Sequence, residues 1–280
     1  MFTKIAQSFS PFALVMATMV TAPMVMSAPA YAAGDLLVAP TRVVLDGRRG
    51  TEVILNNIGE EEATYRISLE LRRMNDVGRL EEVPEEAANE KEQAIQRIIR
   101  YAPRRVTLPP NQPQSIRIGL TQMQDLPDGE YRAHMLFRAI PKTAAVTDTE
   151  DAGDGVQIQL IPVYGVTIPI IVRKGQLEAQ AALANPRVES TVDGPALAFD
   201  LSRKGSASVF GEIRVSKPGI SEPVMVARGI AIYPELESRV VTLPVNEEIL
   251  AALKGPVTIG YYEAVENGGA LISEVKSVLN

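Results

Sequence analysis

The sequence predicts an all-β protein made of two β-sandwich domains. From Leu36 onward, apolar and polar residues alternate over short runs, which is typical of strands with one buried face. Turn residues separate these runs, for example Asp46-Gly47 and Pro127-Asp128-Gly129. The runs form two sets of about seven on either side of Lys174-Gly175, and about seven strands suffice for one immunoglobulin-like sandwich.

The predicted strands set the expected domain limits. Those of the first set are Leu36–Leu45, Thr51–Asn57, Thr64–Met74, Arg100–Leu108, Gln114–Leu120, Glu130–Ile140 and Val156–Arg173. Those of the second set are Leu177–Leu183, Ala196–Ser202, Val209–Ser216, Pro223–Ala231, Arg239–Pro244, Val257–Glu263 and Leu271–Val278. We therefore expect domains at residues 33–174 and 175–280. Because no Gly/Ser-rich or Pro-rich spacer joins them, we expect a fixed angle and a cleft between the two domains.

One segment departs from the strand pattern. Pro84 to Ile99 is rich in Glu, Ala, Gln and Lys, and its apolar residues Ala94, Ile95, Ile98 and Ile99 recur at helical spacing. Pro84 is well placed to start a helix. The segment is interpreted as a short amphipathic helix inserted in the first domain, with a disordered acidic loop as the alternative.

The composition excludes most enzyme chemistry. The chain has 280 residues, no Cys and one His, His134, so thiolate metal sites, iron–sulfur clusters and a Ser-His-Asp triad are not expected. No glycine-rich phosphate loop is present. We therefore predict no catalytic residues, no metal and no cofactor, and we interpret His134 as a packed or half-exposed strand residue. The formal net charge of −6 gives no basis for binding nucleic acid.

The first residues are interpreted as a secretory signal at residues 1–32. Lys4 supplies a positive start, Phe12 to Val25 is almost wholly apolar, and Ala30-Tyr31-Ala32 is a small-x-small cleavage site. A membrane anchor is the alternative, but the apolar run is short and Pro23 interrupts it. We therefore expect a product outside the cytoplasm without stable membrane insertion.

The segment from Val156 to Arg173 is much longer than an ordinary strand and carries no charge before Arg173. One face of its alternation begins with Val156, Ile158 and Leu160. Proline at 162 and 169 cannot donate ladder hydrogen bonds, which places these positions at an edge or a bulge. Either this face is covered by its own domain, or the edge pairs with a partner chain.

Four passages of the chain resemble the periplasmic pilus-assembly chaperones of the usher pathway, which are built from two immunoglobulin-like domains in a boomerang arrangement. The passages are Ala39–Asn57, Arg100–Ile118, Leu126–Pro141 and the strand end Ile168–Arg173. They occur in the family's order, and the resemblance covers most of the mature chain. The stretch Lys142 to Val156 resembles the long-loop branch of this family.

The resemblance implies donor-strand complementation, in which the last strand of the first domain fills the groove of an incomplete pilus or fibre subunit. Val156, Ile158 and Leu160 are then the side chains that enter the groove. The implied partners are the subunit and an outer-membrane usher, and the implied location is the periplasm. The alternative from the residues is a secreted immunoglobulin-like structural or adhesion component of a surface fibre.

In the family, an Arg on the first strand and a Lys on the last strand of the first domain hold the subunit's terminal carboxylate. Arg42 matches the Arg, and a guanidinium suits this role because its fork of donors pairs both carboxylate oxygens. The Lys is absent, since Thr167, Ile168 and Pro169 occupy its stretch. Either Arg173 or Lys174 replaces it, or the grip is altered, and Arg42 itself has the alternative of an ordinary surface arginine.

Overall fold

The computed structural model describes residues 36–47, 49–141 and 163–279, which belong to one compact unit. Within these ranges the fold is two β-sandwiches with two short α-helices, so the all-β prediction is confirmed. No helix in these ranges has the length and apolar character needed to span a membrane.

The first sandwich packs a four-stranded sheet on a five-stranded sheet. Its strands are β1 (Leu36–Ala39), β2 (Val43–Leu45), β3 (Thr51–Asn57), β4 (Ala63–Glu70), β5 (Arg72–Met74), β6 (Leu80–Glu82), β7 (Ile99–Ala102), β8 (Arg105–Leu108), β9 (Pro113–Leu120), β10 (Gly129–Ile140) and β11 (Gly165–Lys174). The sheet orders are β1-β3-β9-β7 and β2-β11-β10-β4-β8, and β5 and β6 form a separate pair. Both sheets contribute to one core that includes Leu55, Ile116, Phe137 and Ile170.

Two predicted strands are wrong in the same way, because each changes sheet at a proline. Leu36–Leu45 breaks after Ala39, so β1 pairs with β3 while β2 runs parallel to β11 in the opposite sheet. Arg100–Leu108 breaks around Pro103, and β7 and β8 likewise lie in opposite sheets. A proline has no N–H for a ladder hydrogen bond, which favours ending one strand there and starting the next.

The predicted helical insertion is present as a short 3-10 helix followed by α1 (Glu90–Ile98). Asn89 caps α1 by accepting from the N–H of Glu92 at 3.0 Å, while the Glu92 carboxylate accepts from the N–H of Asn89 at 2.8 Å. Its apolar face packs into the first core. Ile99, expected in the helix, begins β7 instead.

The second sandwich has its own core. Its strands are β12 (Ala179–Thr191), β13 (Gly194–Gly205), β14 (Val209–Ser216), β15 (Met225–Ile232), β16 (Ser238–Pro244), β17 (Gly255–Glu263) and β18 (Leu271–Leu279). The sheet orders are β12-β13-β16 and β15-β14-β17-β18. The helix α2 (Glu247–Leu253), which the sequence analysis missed, follows β16 with Asn246 as its cap.

The two sandwiches contact each other through a third, smaller apolar cluster. Met74 and Ile171 of the first sandwich pack here against Ala231 and Tyr233 of the second. Ile171 lies on the face of β11 opposite to the core-facing residues Ile168, Ile170 and Val172. The same face of the sheet therefore holds both the contact with the second sandwich and the candidate functional site.

Candidate functional site

The candidate site lies on the outer face of the sheet β2-β11-β10-β4-β8. On β10, Tyr131, Ala133, Met135 and Phe137 belong to the core, so the residues that alternate with them face outward. These are Glu130, Arg132, His134, Leu136 and Arg138. This outward set is mainly polar, although two of its members are buried.

Arg42, the predicted carboxylate anchor, lies in the short connection between β1 and β2, and its side chain reaches the second sandwich. Its guanidinium donates to the Tyr233 hydroxyl at 3.3 Å and to the Ser208 hydroxyl at 3.2 Å. It also lies over the Phe210 ring, 4.5 Å from the ring centroid. An arginine held by two hydroxyls and an aromatic face is fixed in place by neutral groups.

A second basic residue, Arg173 at the end of β11, lies beside Arg42. Its Nε donates to Glu130 at 3.0 Å, and its Nη2 donates to the Ser208 carbonyl at 3.1 Å. Glu130 also accepts from the Ser208 N–H at 3.0 Å and from its hydroxyl at 2.9 Å. Ser208 thus joins Arg42, Arg173 and Glu130 into one hydrogen-bonded group.

The electrostatics of this group leave one cation without a direct counter-ion. Glu130 pairs with Arg173, whereas no carboxylate in the described ranges lies within 4.0 Å of Arg42. Burial lowers the pKa of Arg42, and the neighbouring Tyr233 and Glu130 partly oppose that effect. A guanidinium keeps its charge at physiological pH in any case. The group can therefore bind an anion, and a carboxylate matches the arginine fork.

The structure distinguishes the two replacements considered for the missing lysine. Arg173 shares Ser208 with Arg42. Lys174 instead donates to the main-chain oxygens of Gln124, at 2.9 Å, and Leu126. Arg173 is therefore near Arg42, but its charge is balanced by Glu130, and Lys174 is occupied elsewhere.

Next to this group, one edge of β11 is unpaired over part of its length among the described residues; we call this part the free edge. β2 pairs only with Ile170, Ile171 and Val172, whereas β10 pairs along the whole of β11. Within the described ranges, the stretch Gly165–Pro169 therefore has a strand on one side only. Pro169 lies in this stretch, where its missing N–H costs no ladder hydrogen bond on the open side. The predicted donor residues Val156, Ile158 and Leu160 precede this stretch and lie outside the described residues.

His134 is one of the two buried polar residues on the outer face of β10, the other being Glu130. It is 0% exposed, and neither ring nitrogen has a hydrogen-bond partner among the described residues. It lies opposite Glu70 on β4 and Pro169 on β11. Burial lowers its pKa to about 3, helped by the positive charges of Arg132, Arg72 and Arg42. The sequence prediction of a packed or half-exposed strand residue agrees with this placement in its packed form.

An open cleft of about 610 Å³ lies beside Arg173 and is lined also by Asp46, Asp128, Gly175, Gln176 and Leu177. Nowhere in the described part of the chain do three or more His, Asp or Glu side chains come together as a possible metal site. The sequence contains no signal for Ser208, Phe210 and Tyr233, because they lie in the second sandwich and no local pattern links them to Arg42.

Among known proteins, solved structures are similar to this chain. No family model and no curated protein matches the chain. The Escherichia coli chaperone DraB is 14% identical over 88% of this chain and 96% of its own, with a TM-score of 0.45. The Pseudomonas aeruginosa CupB2 chaperone is 13% identical over 87% and 100%, with a TM-score of 0.44. A chain in the Salmonella enterica structure of the SafA pilin with the SafB chaperone is 13% identical. The match covers 88% of this chain and 97% of that one, with a TM-score of 0.44. The chain is thus similar, at low identity, to chaperones that include one solved with a pilin.

Proposed function

We propose that this protein is a periplasmic chaperone that captures incomplete pilus or fibre subunits by donor-strand complementation and delivers them to an outer-membrane usher. The observation that carries the proposal is Arg42, a fixed cation that has no carboxylate within 4.0 Å among the described residues. In this function Arg42 binds the carboxyl terminus of the subunit. Glu130 and Arg173 hold Ser208 and thereby position the anchor.

The donor strand in this proposal is the chain that enters β11. Val156, Ile158 and Leu160 enter the subunit groove, and the free edge Gly165–Pro169 supports the idea that a partner strand pairs alongside. Main-chain hydrogen bonds give affinity, and the alternating side chains fix the register. Burying apolar surface is worth about 25 cal/mol per Å², so three aliphatic side chains supply several kcal/mol before ordering costs.

The remaining parts of the proposal follow from the sequence. Residues 1–32 direct export and are removed, residues 33–174 form the capturing domain, and residues 175–280 form the second immunoglobulin-like domain. Capture and release exchange one strand for another, so the function requires neither a nucleotide nor a catalytic group. Release occurs when the donor strand of the next subunit replaces that of the chaperone.

The test is capture of a fibre subunit that is co-expressed with this chain. The full chain with its signal is tagged and co-expressed with the subunit, and recovered subunit per chaperone is measured. Ile158→Asp combined with Leu160→Asp should reduce recovery at least tenfold, because two carboxylates would enter an apolar groove. The matched control is Gln157→Asp with Gln159→Asp, on the alternate face, which should retain capture. Undiminished recovery with the first pair would contradict the proposal.

A further inference from the structure

Three arginines stand in line on the outer face of the five-stranded sheet. Arg66 on β4 lies directly opposite Arg105 on β8 and, on its other side, directly opposite Arg138 on β10. All three side chains are exposed. Directly opposite residues in a sheet are about 5 Å apart, so the line is about 10 Å long. We call these three residues the arginine row.

The arginine row has no counter-charge among the residues that the structure describes. None of the three forms an ion pair or a side-chain hydrogen bond within residues 36–47, 49–141 and 163–279. In another strand pair, the exposed Arg117 on β9 lies directly opposite Glu52 on β3 and forms an ion pair with it at 3.2 Å. Like charges directly opposite each other destabilise a sheet. In a chain with a net charge of −6, such an uncompensated row indicates a surface for an anionic partner.

The position of the arginine row relates it to Arg42. Arg138 is paired with Gly165, at the start of the free edge of β11. Val43 lies opposite Ile170 of β11, and because β2 runs parallel to β11, the preceding residue Arg42 is level with Pro169. The arginine row is therefore about four residues, or about 13 Å along the strand direction, from the level of Arg42.

We propose that the arginine row binds an acidic segment of the polypeptide whose carboxyl terminus Arg42 holds. This rests on the proposed function, because the polypeptide is taken to be the captured fibre subunit. An extended chain advances about 3.3 Å per residue, so the acidic residues begin about four residues before the carboxyl terminus. Exposed ion pairs are individually weak, so the arginine row selects between subunits and adds little to capture by the donor strand.

The test uses short synthetic peptides as probes and the full chain as receptor. One labelled peptide has a free carboxyl terminus and Glu at the fourth to sixth residues from its end, and a second has Gln at those positions. Binding is measured by fluorescence anisotropy at low and at physiological ionic strength. One receptor variant, the row variant, combines Arg66→Gln, Arg105→Gln and Arg138→Gln. The matched control combines Arg49→Gln, Arg117→Gln and Arg228→Gln at exposed arginines elsewhere.

The wild type should bind the Glu peptide about tenfold more tightly than the Gln peptide at low ionic strength, and the row variant should lose this difference. The control variant should keep it. Equal dissociation constants for the two peptides on the wild type, or equal losses in both variants, would overturn the inference. Row-dependent binding of heparin or of phosphatidylglycerol vesicles, without such binding of the Glu peptide, would also overturn it.

A third peptide separates this inference from the function on which it rests. Amidation of the Glu peptide removes the terminal carboxylate, so a loss of affinity on amidation reports the grip by Arg42. If amidation matters and the Glu-to-Gln change does not, the arginine row fails and the carboxylate grip stands. If amidation has no effect, the grip fails, whatever the arginine row does.

Discussion

In the proposed function, neutral groups hold the Arg42 side chain in place for the carboxylate that it would bind. Tyr233 and Ser208 accept from its guanidinium, and Phe210 supports its plane, so its orientation is set by neutral groups. Neutral partners fix the geometry without cancelling the charge. A carboxylate that binds here gains a charge-assisted pair without requiring the arginine to reorganise.

Replacing Arg42 should therefore weaken subunit capture more than it weakens the fold. We expect Arg42→Ala to reduce affinity for the subunit about tenfold or more, and Arg42→Lys to recover part of it, because lysine keeps the charge but loses the fork. Affinity is measured with purified proteins, and thermal unfolding of each variant reports folding. Arg117→Ala, at a position 84% exposed, is the control. An unchanged affinity in Arg42→Ala would rule out the anchor role.

The buried His134, on the same face of the sheet, makes the stability of the fold depend on pH. Its ordinary pKa of 6.5 falls to about 3 in the folded protein, with burial as the main cause. Glu70 lies opposite it on β4, and the charges of Arg132, Arg72 and Arg42 favour its neutral form. Below pH 6.5 the unfolded chain therefore binds a proton that the folded chain excludes until about pH 3.

The stability contributed by neutral His134 is complete above pH 6.5 and is lost as the pH falls towards 3. The expected slope from this one group is about 1.4 kcal/mol per pH unit. We expect the free energy of unfolding of the wild type to drop about 2–3 kcal/mol more than that of His134→Leu between about pH 6.5 and pH 4.5. Denaturant unfolding across this range measures it. Parallel curves for the two proteins would show that His134 titrates normally.

At the scale of strands and helices, the sequence predicted elements best where alternation is unbroken. The predicted bounds of β3 and β14 match those observed, because each is a run of seven or eight residues without an internal proline. The breaks at Pro40 and Pro103 were missed because alternation continues across both prolines while the chain crosses to the other sheet. The sequence signal for α2 was present in Asn246 and the acidic residues after it.

The candidate site was only partly predictable for a different reason. Arg42 was identifiable because it lies in Ala39–Asn57, one of the passages that resemble the pilus-assembly chaperones. Its partners Ser208 and Tyr233 are 166 and 191 residues away, and only the packing of one sandwich on the other brings them near. The arginine row was equally hidden, because cross-strand register, rather than sequence spacing, aligns Arg66 with Arg105 and Arg138.

At the scale of the whole molecule, polar contacts from two carboxylates join the sandwiches. Glu235 of the second sandwich accepts from the Met74 N–H at 2.8 Å and from Arg132 Nη2 at 2.5 Å. Glu130 of the first sandwich accepts from Ser208 of the second. These contacts flank the apolar cluster around Tyr233, so the site around Arg42 depends on the sandwiches remaining together.

Of the two carboxylates, Glu130 is the better one for testing whether polar contacts hold the sandwiches together. Its side chain is only 1% exposed, and it accepts hydrogen bonds from both Arg173 and Ser208. Glu130→Gln leaves a partly buried guanidinium without its counter-charge, which should cost about 2 kcal/mol. For a protein of this size, that loss should lower Tm by about 4–8 °C in calorimetry. Glu52→Gln removes an ion pair of the same type within one sheet, where both partners are exposed, and should change Tm by less than about 1 °C. A shift as small for Glu130 as for Glu52 would mean that the contacts of Glu130 contribute little to holding the sandwiches together. In that case Arg42→Ala should weaken subunit capture equally in the wild type and in Glu130→Gln.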